Sequence, residues 1–111
     1  MAAYVLHEDL AGFGMPARYR IYEFKTRRGA LEWLSIFKSE QKSFKKIVAE
    51  RGYCHIAIHS TYERAHMIAP ALVKKMIAAA RAAFPDRAAL IDLQETCNRR
   101  ESEPARAAFL Y

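Results

Sequence analysis

Apolar and polar positions along this chain follow two rhythms, one of period two and one near 3.6, and Gly, Pro and hydroxyl residues mark the places where the rhythm changes. Tyr4 to Leu10 reads as a short strand, closed by the loop Ala11-Gly-Phe-Gly-Met-Pro16. Tyr19 to Phe24 (Tyr-Arg-Ile-Tyr-Glu-Phe) is rich in aromatic and β-branched residues, which suit a pleated surface and predict a second strand. After Thr26, a cap residue by type, Ala30, Trp33, Leu34, Phe37, Phe44, Ile47 and Val48 recur at helical spacing until Gly52. Gln41 interrupts that stripe, so the pattern fits one helix to Glu50 or two shorter ones joined near Ser39.

Tyr53 to His59 alternates again, with Cys54, Ile56 and Ile58 on one face and Tyr53, His55, Ala57 and His59 on the other. Ser60 stands three residues before Glu63, the spacing of a capping box, so a helix is expected to start there. It would carry Ile68, Leu72, Val73, Met76, Ile77, Ala80 and Phe84, with a kink or irregular first part because Pro70 lies inside it. Ala88 to Leu93 fits a strand or a short helix, and the strand is preferred because αβ loops such as Pro85-Asp-Arg87 commonly precede one. The run from Asn98 to about residue 106 is polar enough for a loop or tail, whereas the apolar Ala107-Ala-Phe-Leu-Tyr111 is expected to dock on the body or on a partner.

The order strand, helix, strand, helix, strand predicts one α+β domain over residues 1–111. Its expected form is a small two-layer sandwich, with two main helices packed on one face of a three- to four-stranded sheet. Trp33, Leu34, Phe37, Ile56, Ile58, Leu72, Met76 and Ile77 are the expected shared core. A length of 111 residues, 52% hydrophobic and 27% charged, supplies one core's worth of apolar material. No run of about 18 apolar residues is present, so no spanning helix and no membrane partner is expected. Glu8 and Asp9 fall where a signal peptide needs an apolar core, so the chain reads as unexported and cytoplasmic, with Cys54 and Cys97 as reduced thiols.

Charge changes this picture because of where it lies. The net charge is +6, and residues 18–51 hold ten Lys/Arg against four Glu. If the first helix is continuous, Arg27, Arg28, Lys38, Lys42, Lys45 and Lys46 fall within a sector of about 100° beside its apolar face. Such a stripe fits nucleic-acid phosphates, or an acidic protein or nucleoprotein. Arg20 and Tyr22 from one strand, with Tyr53, His55 and His59 from another, would add an aromatic and cationic sheet face of the kind on which single-stranded bases stack.

Catalytic and metal signatures are weaker. His55 and His59 share a strand face but stand about 13 Å apart, too far for one metal held at about 2 Å. Neither cysteine has a C-x-x-C partner, so no metal is expected. Gly12 and Gly14 lack the remaining glycine of a dinucleotide fingerprint, a Walker loop is absent, and no cofactor is expected. His59-Ser60-Thr61 resembles one of the paired H-x-[ST] elements with which phosphoesterases hold two histidines as general acid and base. The second element is missing, because His7, His55 and His66 have Asp9, Ala57 and Ile68 at the Ser/Thr position.

The leading expectation is therefore a small, basic, non-enzymatic binding protein that engages nucleic acid or a nucleoprotein through the helix stripe. The alternatives are a protein-interaction module, such as a small inhibitor or adaptor encoded by a mobile element against a host system, and a metal-independent phosphoesterase using His59. The sequence also admits a homodimer.

Overall fold

The structure, a computed structural model, describes residues 1–9, 16–51 and 63–110, with the backbone alone for residues 44, 45, 47, 48 and 51. The strand expected at Tyr53–His59, the Ser60 cap, and Ile56 and Ile58 of the expected core lie outside the described residues. The fold is α+β. Strands β1 (Ala3–Asp9) and β2 (Arg18–Phe24) lead into helix α1 (Arg27–Arg51), followed by β3 (Glu63–Ile68) and α2 (Pro70–Ala83). A 3-10 turn at Pro85–Arg87 then joins a one-turn helix α3 (Ala88–Ile91), and β4 (Gln94–Glu95) and β5 (Arg106–Leu110) complete the described elements. The five strands form one antiparallel sheet in the order β3-β1-β2-β5-β4.

Helices cover both faces of the sheet, which corrects the expected one-sided sandwich. Ala3, Val5 and Phe24 pack with Ala30 and Leu34 of α1 on one side. Leu6, Ile21, Ala108 and Leu110 pack on the other side with Val73, Ile77 and Ala80 of α2 and Ile91 of α3. The reason is visible in β1 itself, where the consecutive residues Val5 and Leu6 are both buried, 0% and 5% exposed. Successive strand residues point to opposite faces, so two adjacent buried apolar residues require a cover on each. The expected single core thus divides: Leu34 lies on one side and Ile77 on the other, Trp33, Phe37 and Met76 are half-buried, and Leu72 is 44% exposed.

Two element assignments also change. The helix expected from Ser60 onward is a strand over Glu63–Ile68, paired along its length with β1 from Tyr4↔Ile68 to Asp9↔Glu63. Pro70 is the first residue of α2 rather than an interior kink. Ala69 before it is extended (φ −72°, ψ 146°), the conformation that a following proline imposes. Proline is well tolerated at a helix start because the amide it lacks has no partner there. Ala88–Leu93, expected as a strand, begins as α3, because the turn from Pro85 runs on helically and carries Ile91, 0% exposed, into the core.

The apolar C-terminus docks as β5 against β2, from Tyr19↔Leu110 to Glu23↔Arg106. The polar run before it is a hydrogen-bonded loop. Thr96 N donates to Ala105 O (3.0 Å), Ala105 N to Glu23 O (2.7 Å), Arg99 N to Glu103 Oε2 (2.7 Å) and Asn98 Nδ2 to Glu103 O (2.8 Å). This loop rests on the start of α1, where Thr26 Oγ1 donates to Glu101 Oε1 at 2.5 Å and accepts from Gly29 N at 3.0 Å.

A Cβ added at Gly29 would overlap the Glu101 carbonyl oxygen. Glycine to alanine within a helix ordinarily stabilises by about 1 kcal/mol. At Gly29 an overlap with fixed backbone, at about 1–3 kcal/mol or more, outweighs that gain. Gly29→Ala is therefore expected to lower the midpoint of chemical denaturation, by about 1 kcal/mol of net stability. An unchanged or raised midpoint would mean that the loop does not press on the helix.

Candidate functional site

Helix α1 runs unbroken from Arg27 to Arg51, so Gln41 interrupts the apolar stripe without ending the helix. Its side-chain amide instead donates to Glu63 O at 2.7 Å and ties the helix to β3. With the helix continuous, the basic sector falls on its outward side. Arg27, Arg28, Lys38, Lys42 and Lys46 are all exposed, and Lys45 lies on the same helix with its side chain outside the described residues. From Arg27 to Lys46 the stripe extends about 28 Å at 1.5 Å per residue. Lys46 Nζ stands 4.0 Å from Glu50 Oε1 between two exposed side chains, an ion pair of little energetic weight. Leu31 and Ile36 are also exposed on this helix.

The sheet face expected to stack bases is arranged differently. Tyr22 lies beneath α1, its ring centroid 5.3 Å from that of Trp33 and 6.0 Å from His7. Trp33 stacks in turn on Phe37 at 5.4 Å. Arg20, opposite His7 in the β1–β2 register, holds its guanidinium carbon 5.4 Å from the ring centroid of Phe109. Tyr22 is thus part of the packing between α1 and the sheet, while Arg20 lies over Phe109 of β5 on the same sheet face. Tyr53, His55 and His59 lie outside the described residues.

His7, which carries no motif, occupies the centre of this packing. It is 7% exposed, and its Nε2 lies 3.6 Å from Glu63 Oε2. Among the described residues neither ring nitrogen has a hydrogen-bond partner. Burial pushes its pKa below the ordinary 6.5 and the Arg20 charge adds to that, while Glu63 and Asp9 oppose it. The available sequence signal is its phase, since His7 falls on the same strand face as Ala3 and Val5.

On the opposite side, Arg106 donates to Glu23 through Nε (2.7 Å to Oε1) and Nη2 (2.6 Å to Oε2). This fork and the Tyr4 hydroxyl hold the Glu23 carboxyl below its usual range, although burial acts the other way. Beside it, Lys74, Ile77, Arg81, Asp92, Leu93 and Arg106 line an open groove of about 510 Å³. Two of its three cations are paired with acids, Arg81 with Asp92 and Arg106 with Glu23, and Arg106 also faces Glu95. A carboxylate with a depressed folded pKa contributes stability above its unfolded value, here 4.5, and that contribution is lost as pH falls. Glu23→Gln is accordingly expected to flatten the acid limb of stability below about pH 4.5, as read by thermal melts across pH. An acid limb as steep as the parent's would remove Glu23 from that role.

Among the described residues no three His, Cys, Asp or Glu side chains are placed to hold one metal ion, Cys97 is an exposed free thiol, and no helix is long and apolar enough to cross a membrane. The α1 face gathers five exposed cations, Arg27, Arg28, Lys38, Lys42 and Lys46, on one helix. No family model matches the chain, and comparisons with curated proteins and with solved structures return no match, so a functional reading rests on this geometry.

Proposed function

We propose that this chain is a non-enzymatic nucleic-acid-binding protein that neutralises backbone phosphates along the exposed face of α1. The observation that carries the reading is the display of Arg27, Arg28, Lys38, Lys42 and Lys46 on one side of a single 25-residue helix. Two of these cations stand where they do not help the helix. Arg27 and Arg28 occupy its first turn, which holds no acidic residue. There the helix dipole is positive, and each cation costs about 0.3–1 kcal/mol. Cations kept at an unfavourable end fit a role toward an external anion better than a role in folding. With Tyr22 packed under the helix, the support is for phosphate contacts and not for base stacking, so binding is weakly sequence-specific.

The experiment is fluorescence anisotropy of labelled duplex and single-stranded oligonucleotides across a salt series. Affinity that falls steeply and log-linearly with salt supports the reading. A parent protein that binds neither strand form at low salt would replace it with an acidic protein partner for the same face.

A further inference from the structure

A buried histidine whose ring nitrogens make no hydrogen bond to any described residue is sensitive to a single proton, and His7 sits where α1 meets the sheet. Its ring lies edge-on to Phe37 (5.4 Å) and to Trp33 (6.2 Å) and stacks loosely on Tyr22 (6.0 Å). The charged groups facing it come from the sheet: Asp9 on its own strand, Arg20 on β2 and Glu63 on β3. The α1 side chains in ring contact with it, Trp33 and Phe37, are uncharged, so neither offers an imidazolium a compensating anion.

We propose that His7 is a proton-operated latch for α1: neutral, it lets the aromatic face of the helix close over the sheet, and protonated, it loosens that closure and the mounting of the basic face. As a control on binding, the latch rests on the nucleic-acid reading; as a property of the α1 seat, it stands apart from it. An imidazolium here keeps its charge largely out of water, and the Glu63 carboxylate at 3.6 Å, beyond hydrogen-bond distance, compensates only in part. Gln41 links the helix to the same strand through Glu63 O, so movement at Glu63 is passed directly to α1. The sign follows from linkage. A base whose folded pKa is depressed leaves the folded state intact above its unfolded value of 6.5 and weakens it as pH falls from there toward the folded value.

Trp33 is the single tryptophan of the chain and touches the His7 ring, which makes its fluorescence a local probe. The test is a titration of Trp33 emission in the whole chain, without nucleic acid, from about pH 8 to about pH 5. One single-proton transition with its midpoint below 6.5 is expected, and it should be lost in His7→Gln. Glu63→Gln removes the anion and should move the midpoint down; Arg20→Gln removes the cation and should move it up. These opposite shifts decide the matter even if His7→Gln does not fold. A transition that survives in His7→Gln, is absent from the parent, or moves the same way in both charge variants overturns the latch. Oligonucleotide binding near neutral pH is measured separately: binding without the transition leaves the nucleic-acid reading and removes the latch, and the transition without binding does the reverse for the reading.

Discussion

Replacing Lys38, Lys42 and Lys46 together with glutamine is expected to reduce the salt dependence of nucleic-acid binding by more than half. Each phosphate neutralised releases condensed counterion, with a log–log slope of about −0.9 per contact for duplex and about −0.7 for single strands. If all five exposed cations of the α1 face engage phosphates, raising salt from about 50 to about 200 mM weakens duplex binding roughly 500-fold and single-strand binding roughly 130-fold. Two remaining contacts leave a loss of only about 12-fold and about 7-fold. Glutamine keeps helix propensity and the three positions are exposed, so the melting temperature should hardly move. Lys74→Gln with Lys75→Gln, on exposed positions of α2, is the matched control and should leave the slope in place. A triple variant that binds like its parent at every salt concentration would make the α1 face a solvated flank.

Phe24→Ala is expected to cost about 3–5 kcal/mol, a large part of the roughly 5–15 kcal/mol that holds a domain of this kind folded. Phe24 is 0% exposed and is held between Ala3, Val5, Ala30, Leu34 and Trp33, with little freedom to close the void. The informative comparison is Leu72→Ala. Leu72 belongs to the helical stripe that sequence places in the core, yet it is 44% exposed, and its truncation should cost under about 1 kcal/mol. Phe37, half-buried between Trp33 and His7, should fall between them. Urea midpoints measure the order, and a Leu72 cost equal to that of Phe24 would contradict the arrangement of α2 against the sheet.

Several features of this structure are written locally in the chain. The aromatic and β-branched run of β2, the Thr26 cap, the 3.6-residue period of α1 and the docking of an apolar C-terminus are all legible, because each depends on residues near one another in sequence. The angular position of the α1 cations follows from the same period, and their exposure needs only that the apolar side face inward. The stretch 63–69 is the opposite case. A capping-box spacing and a downstream helical stripe favour helix there, but pairing with β1 prevails, and Pro70 marks the helix start that a kink would otherwise explain.

Periodicity and composition are enough to establish the α+β class, the first three elements and the segregation of positive charge onto α1. Which side of the sheet each helix covers is settled in the folded chain, because a period of two separates a strand's faces without saying what lies against either. That choice places α1 over Tyr22, takes that ring out of the expected stacking face and encloses His7 beside Glu63. It also brings Arg106 onto Glu23 across 83 residues of chain. Such contacts carry no local pattern, since their energy is gained only after distant strands have paired, and no spacing within either strand announces its partner.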